Sequence, residues 1–227
     1  MVNDLIITVT MNPAIDKTIE LNEPGPVVTG RDIDRLVEKL CCYADSSTII
    51  ILAGSIPRGM SKSIYAELTE LLKSRGARVI VDGDGELLKS AIEKGPDIIK
   101  PNSLEVSEYF NNSEGLKDGD LALKCRQLLN KGIELAVVSQ GSEGALFIKK
   151  NQSYKAHGLK VKNHSTVGAG DAMVAALAYG YEMDMPIEDI IRLSVAVAAG
   201  AVTTLGTKPP SLELVRELME KVVIENL

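Results

Sequence analysis

The run Thr48-Ile49-Ile50-Ile51-Leu52-Ala53, followed at once by Gly54-Ser55-Ile56-Pro57-Arg58-Gly59, decides how this chain folds. It is too short for a typical helix and is rich in β-branched residues, which suit a pleated surface. It is also apolar throughout rather than alternating, so both of its faces must be covered, as in a parallel sheet between helical layers. Four more runs read the same way: Leu5 to Val9, Arg78 to Val81, Asp97 to Ile99 and Leu135 to Ser139. Between and after them lie helical patterns with stop signals, such as Ser61 to Arg75 ended by Gly76 and Glu86 to Lys94 ended by Gly95. The expected fold is α/β, a doubly wound, mostly parallel sheet flanked by helices.

The last third changes texture. Ala172 to Tyr181, Ile187 to Thr204 and Ser211 to Glu225 read as three helices, the first two rich in Ala and Gly. Small residues permit close approach, which suits a tight nucleotide-binding layer and equally suits plain packing.

Sheets of this kind bind ligands beyond the carboxyl ends of their strands. Each strand end here leads into a polar segment: Asn12-Pro13-Ala14-Ile15-Asp16, then Gly54 to Gly59, then Asp82-Gly83-Asp84-Gly85. Lys100-Pro101-Asn102 with Glu105, and Gln140-Gly141-Ser142-Glu143-Gly144, follow the next two strands.

The bulk numbers remove several functions. The 227 residues are 45% hydrophobic and 25% charged, the balance of a globular protein and the length of about one α/β domain. A net charge of -6, with no dense Lys/Arg run and no Trp, argues against nucleic acid as a partner. No apolar stretch approaches membrane-spanning length and the first residues lack a signal peptide's basic flank, so no membrane partner and a cytoplasmic location are expected. Cys41, Cys42 and Cys125 form neither a disulfide set nor a metal-binding spacing, and read as structural.

The sharpest local signal is Thr166-Val167-Gly168-Ala169-Gly170-Asp171, directly before the Ala-rich helix. Two glycines let backbone amides turn towards an anion, and a helix N-terminus adds partial positive charge. The hexapeptide is neither a dinucleotide fingerprint nor a Walker A loop. A nicotinamide-dependent dehydrogenase is disfavoured too, because its glycine fingerprint should open the first βα unit. Asp171 would repel a resting phosphate, but it makes sense as the acceptor of a proton from an attacking hydroxyl. The competing reading is a helix-capping aspartate, worth about 0.3–1 kcal/mol. Asn102 with Glu105 has capping-box spacing, and Gly141 and Gly144 fit a tight strand-to-strand turn, so structural readings stand beside functional ones there as well.

The hexapeptide resembles the C-terminal signature of the ribokinase-like carbohydrate kinases. Thr10-Met11-Asn12-Pro13-Ala14-Ile15-Asp16, Ala53 to Gly59, and Lys100-Pro101-Asn102 with Glu105 resemble the branch of that family containing 1-phosphofructokinase and tagatose-6-phosphate kinase. The resemblance implies ATP and Mg²⁺ as cofactors and fructose 1-phosphate or tagatose 6-phosphate as the sugar substrate. It implies Asp171 as catalytic base, with the amides of Gly168, Ala169 and Gly170 stabilising the transferred phosphoryl. Ser139, Gly141, Gly144, Thr166, Lys100 and Asn102 would lie along the nucleotide, and Asn102 and Glu105 would organise Mg²⁺ and its waters. Asn12 and Asp16 would hold the sugar, and Ser55 and Arg58 would meet its phosphate.

The chain departs from that family after Asp16. The family continues there with lid strands and a Gly-Gly-Lys-Gly segment, whereas here Leu21-Asn22 runs into Glu23-Pro24-Gly25-Pro26. Residues 1–227 therefore read as a single ribokinase-like domain with an apparent deletion of the lid near 20–26, and a lid-mediated dimer is not expected. Two functions remain open: a sugar-phosphate kinase, and a nucleotide-binding remnant or regulatory module that turns over no sugar.

Overall fold

The computed structural model describes residues 5–10, 28–57, 59–112, 115–162, 164–206 and 208–227. The decisive run is strand β2 (Thr48–Ala53), buried along its whole length. Its residues divide between two cores: Ile50 and Leu52 enter one, and Ile49, Ile51 and Ala53 the other. In β3 (Arg78–Asp82), Val79 and Val81 face the first core and Ile80 the second. In β5 (Leu135–Ser139), Ala136 and Val138 face the first, Leu135 and Val137 the second. A strand that serves two cores has no polar face to display, which is why these runs do not alternate.

With β1 (Leu5–Thr10) and β4 (Ile98–Ile99), these strands pair in parallel and in chain order. Antiparallel strands β6 (Gly144–Ile148), β7 (Ser153–His157) and β8 (Ile224–Asn226) extend the sheet to eight among the described residues. The connections within the parallel part carry α1 (Gly30–Tyr43), α2 (Ile64–Ser74), α3 (Gly85–Ile92), α4 (Ser103–Tyr109) and α5 (Asp118–Leu129). Leu40, Leu68, Leu88, Val106 and Leu128 from these helices all enter the first core. The second face is covered from the C-terminal side by α6 (Ala169–Glu182), α7 (Ile187–Ala201) and α8 (Leu212–Lys221), through Leu177, Ile191 and Leu218. The sheet is thus mostly parallel and flanked on both faces, as expected. Strands in sequential order return every crossover to the same face, so the second layer comes from chain that follows the sheet.

Several boundaries differ from expectation. Helix α6 begins at Ala169, not Ala172, which places Gly170 and Asp171 inside its first turn. Helix α7 ends at Ala201. Helix α8 ends at Lys221, where Val222 turns extended, and residues 224–226 become β8 because the outer edge of β7 offers them backbone partners. The local pattern there is helical, and strand pairing overrides it. The Ala and Gly of α6 and α7 serve close packing: a Cβ on Gly180 would stand 2.7 Å from Ile190 Cγ1. Cys125 is fully buried, and burial pushes its thiol up to about 12.

Candidate active site

The carboxyl ends of β2, β3, β4 and β5 deliver their polar segments to one edge of the sheet. Gly54 and the exposed Ser55 follow β2. Asp82 ends β3, and Lys100 follows β4 with its amide donated to the Val81 carbonyl. Lys100 is 7% exposed, and its Nζ lies 3.0 Å from Asp82 Oδ1. Burial raises the Asp82 pKa, the Lys100 ammonium opposes that, and the nearby Asp171 charge raises it further. A Cβ added to Gly170 would stand 3.4 Å from Lys100 Nζ, so this buried cation reaches across to the start of α6.

The expected anion site falls at that helix start. Gly168 is its N-cap, in the left-handed region at φ 83°. Among the described residues no side-chain hydrogen bond caps the helix at Gly168, and Asp171 stands as the acid of its first turn. Ala169 donates to the Thr166 carbonyl at 3.4 Å, and the first full helical bond runs from the Ala172 amide to Gly168. Among the described residues, the amides of Gly168, Gly170 and Asp171 have no backbone acceptor. Unsatisfied N–H groups, an aligned helix dipole and an ammonium thus converge beside an exposed carboxylate.

Asn102 and Glu105 form a complete capping box at the start of α4. The Asn102 side chain accepts from the Glu105 amide at 2.9 Å, and Glu105 Oε2 accepts from the Asn102 amide at 2.8 Å. Burial is the largest influence on Glu105 and raises its pKa; the Asn102 amide and Lys100 oppose it, while Asp82 and Asp84 add to it. Among the described residues no group of three His, Cys, Asp or Glu side chains is arranged to hold a metal ion. Glu105 nonetheless keeps Oε1 outside the box, and Asp82 lies close enough to influence its charge. Such a donor set fits Mg²⁺ that keeps most of its waters and takes its remaining ligands from a nucleotide's phosphates.

Ser139, Gly141, Gly144, Thr166, Ala169 and Gly170 line one cavity of about 330 Å³, whose apolar wall includes Met173 and Val195. A wider cleft of about 870 Å³ adjoins it, sharing Ser139 and Gly141 and including Asn102. The two clefts meet where β5 ends: the Ser139 amide donates to the Pro101 carbonyl at 2.9 Å, which fixes Asn102 beside it. The two loop glycines have different reasons to be glycine. Gly144, at φ 101°, has no room for a side chain, because a Cβ would meet the Ala156 carbonyl oxygen at 2.0 Å. Gly141, at φ 58°, has nothing within 4 Å and faces open cleft. The turn reading therefore explains Gly144, while Gly141 is left lining both cavities.

The structure brings together Asp171, Gly168, Ala169, Gly170, Lys100, Asn102, Glu105, Ser139, Gly141, Gly144 and Thr166 along this edge, with Ser55 at the end of β2. Asn12, Asp16 and Arg58, and the junction near 20–26, lie outside the described residues. Asp82 is the site residue that sequence reasoning left without a role. Its signal was its position: an acid at the carboxyl end of a buried strand, next to a lysine on the neighbouring strand end.

Comparison with known proteins bears on the same geometry. Residues 27–214 match the pfkB family of carbohydrate kinases. The chain is 32% identical over 219 residues to the 1-phosphofructokinase of Rhodobacter capsulatus, covering 96% of this chain and 69% of that protein. It is 31% identical to the 1-phosphofructokinase of Bacillus subtilis, covering 92% of this chain and 67% of that one. The phosphofructokinase-2 of Escherichia coli, solved in complex with substrates and products, superposes with a TM-score of 0.81 at 28% identity, covering 88% of this chain and 64% of that one. The chain thus spans about two thirds of the length of these relatives, and it belongs to the pfkB family of carbohydrate kinases.

Proposed function

We propose that the protein transfers the γ-phosphoryl group of ATP to a primary hydroxyl of a phosphorylated ketohexose, with fructose 1-phosphate the first candidate and tagatose 6-phosphate the second. The observation that carries this reading is Asp171: an exposed carboxylate in the first turn of α6, uninvolved in capping, beside free amides and the Lys100 ammonium. In the transfer, the hydroxyl oxygen bonds to the γ-phosphorus, the bond to the β–γ bridging oxygen breaks, and the hydroxyl proton passes to Asp171.

Gly168 and Gly170 amides, with Lys100, face the charge on the transferring group, and Ala169 completes the turn that presents them. Ser139, Gly141, Gly144 and Thr166 line the nucleotide cavity, whose apolar wall suits a purine. Bound Mg²⁺ supplies charge neutralisation of the phosphates, with Asn102 and Glu105 orienting its waters. Asn12 and Asp16 hold the sugar, and Ser55 and Arg58 its phosphate. Among the described residues no helix is long and apolar enough to cross a membrane, and we place the activity in the cytoplasm, where ATP is supplied.

ADP release with each sugar phosphate, compared between the wild-type protein and Asp171→Asn, tests the reading; equal rates would remove Asp171 from the mechanism. A second reading has its own observation, the shorter length relative to kinases of the family. A nucleotide-binding module without sugar turnover would bind Mg-ATP in calorimetry and show no heat with either sugar phosphate.

A further inference from the structure

At the turn that follows β5 lies a closed ring of three side chains to which the proposed chemistry gives no role, two of them, Asp118 and Gln140, also lining the wider cleft. Lys155, on β7, is 7% exposed although it is a lysine in a strand interior. Its ammonium lies 3.2 Å from Asp118 Oδ2 and donates to Gln140 Oε1. Gln140 Nε2 in turn donates to Asp118 Oδ1 at 2.7 Å. Both ends of the Gln140 amide are therefore held by charge: the oxygen by the ammonium, the nitrogen by the carboxylate. A flipped amide would set like against like at both contacts, so only one orientation is stable.

The ring joins three elements at the point where they line the clefts. Asp118 is the first residue of α5, Lys155 lies on β7, and Gln140 stands between Ser139 and Gly141. The backbone of the turn closes on the same residue, because the Gln140 amide donates to the Gly144 carbonyl at 2.8 Å and the Gln140 carbonyl accepts from Glu143 at 3.1 Å. Gly158, just after β7, donates to the Glu143 carbonyl at 3.1 Å. Arg126 of α5 donates to Ser153 Oγ at 2.9 Å, a second tie between the same helix and strand. Gly141 adopts a positive φ, a Cβ there would meet nothing within 4 Å, and its carbonyl accepts from the Gly144 amide, so its position is set by the turn to which it belongs.

We propose that Lys155 is a positioning residue: with Asp118 it clamps the Gln140 side chain and so fixes the turn 140–144 against which the nucleotide lies. This rests on the nucleotide reading of that cavity. A buried ammonium is costly to place unless its partners are fixed, and here the partners are the turn and the helix beside it. The clamp therefore orders the nucleotide wall before any ligand arrives, and its loss weakens ATP binding without touching the transfer step.

The test uses the full chain with three variants. Gln140→Met cuts the link to the turn while leaving the Lys155–Asp118 pair. Lys155→Met removes the cation, and Lys155→Arg restores a donor. In nucleotide-free protein, hydrogen exchange of the 140–144 amides should quicken about tenfold in both Met variants and return towards wild type in Lys155→Arg. The KM for ATP should rise about tenfold in the Met variants with kcat within about twofold of wild type, the size of effect expected from supporting residues. Unchanged exchange of the turn in Gln140→Met overturns the clamp. Quickened exchange with an unchanged KM overturns its role in positioning the nucleotide. Failure of the wild-type protein to bind ATP in calorimetry would instead overturn the nucleotide reading, and exchange would still decide whether the clamp exists.

Discussion

Lys100 Nζ lies 3.0 Å from Asp82 Oδ1, with side-chain exposures of 8% and 18%, at the ends of two neighbouring parallel strands. The parallel pairing of β3 with β4 sets this contact, since Val81 pairs with Ile99 and the next residue on each strand carries the charge. A buried ammonium needs a carboxylate, and a buried carboxylate needs a cation. The pair also places positive charge against Gly170, so one ionic contact both holds the sheet edge and sets a cation beside the start of α6.

Replacing Lys100 with Met should strand Asp82 as an uncompensated buried charge. A loss of about 3 kcal/mol is expected at pH 8, read from urea denaturation. The pH dependence follows from the direction of the Asp82 shift. Its folded pKa is raised above the ordinary 3.8, so between the two values the folded state binds more protons than the unfolded one, and stability falls as pH rises through that window. Removing Lys100 extends the window upward, so the deficit of Lys100→Met should shrink on going from about pH 8 to about pH 5, as Asp82 takes up its proton. A deficit of the same size at both pH values would mean that Asp82 is not the group left exposed to the loss.

Asp171→Asn separates catalysis from helix capping. If Asp171 takes the proton, kcat should fall by about 10²- to 10⁴-fold while the calorimetric Kd for Mg-ATP stays within about twofold. If it only complements the helix dipole, the substitution should cost about 0.3–1 kcal/mol of stability and leave turnover alone. The first outcome is the one the proposed function requires; Asp171 stands in the first turn of α6, where it complements the helix dipole under either reading, so turnover and not stability decides.

Much of this was legible in the chain and some of it was not. The run Thr48–Ala53 reads as a strand between two helical layers because burial on both faces leaves its own trace, an unbroken apolar stretch. The loops after β2 to β5 follow from knowing where such strands end. Strand β7 is hidden because Ser153 and Lys155 are polar and buried through partners far along the chain, Arg126 for one and Asp118 for the other. Helix α1 escaped notice although its amphipathic face, Ile33, Leu36, Val37 and Leu40, and its Thr29–Asp32 capping box are local. At the site, Gly168 to Asp171 announced themselves through glycine spacing. Asp82 did not, because its meaning lies in a register between two strands, which only the paired sheet reveals.

The two glycines of the β5–β6 turn should respond differently to alanine. Gly144→Ala drives a Cβ to 2.0 Å from the Ala156 carbonyl at a φ of 101°, so strain and overpacking add, and a loss of about 2–5 kcal/mol in chemical denaturation is expected. Gly141→Ala meets no atom within 4 Å and bears only the cost of its positive φ, about 1 kcal/mol. Gly141 lines both clefts, so if the nucleotide lies there as proposed the added methyl should instead raise the KM for ATP. Equal stability losses in the two variants would contradict the packing described at Gly144.

Asn102 has one observed duty and one proposed one, and the two are separable. Its side chain closes the capping box on α4, and removing it as Asn102→Ala should cost about 1 kcal/mol whether or not Mg²⁺ is present. Asn102→Ser keeps a good N-cap oxygen but shortens the side chain and removes its amide. If capping were its whole function, Asn102→Ser would match the wild-type protein in stability and in turnover at every Mg²⁺ concentration. If Asn102 also orients the waters of Mg²⁺, the serine variant should keep its stability and need several-fold more Mg²⁺ to reach half-maximal ADP release. Activity titrated against Mg²⁺ at fixed ATP, alongside denaturation of the same preparation, decides between them. The second outcome is expected, because Glu105 is held with Oε2 in the box and Oε1 outside it, while Lys100 and Asp82 lie close enough to influence its charge. The box would then serve chiefly to aim the carboxylate, and a substitution that preserves the cap but alters the polar group beside it would disturb the ion and spare the helix.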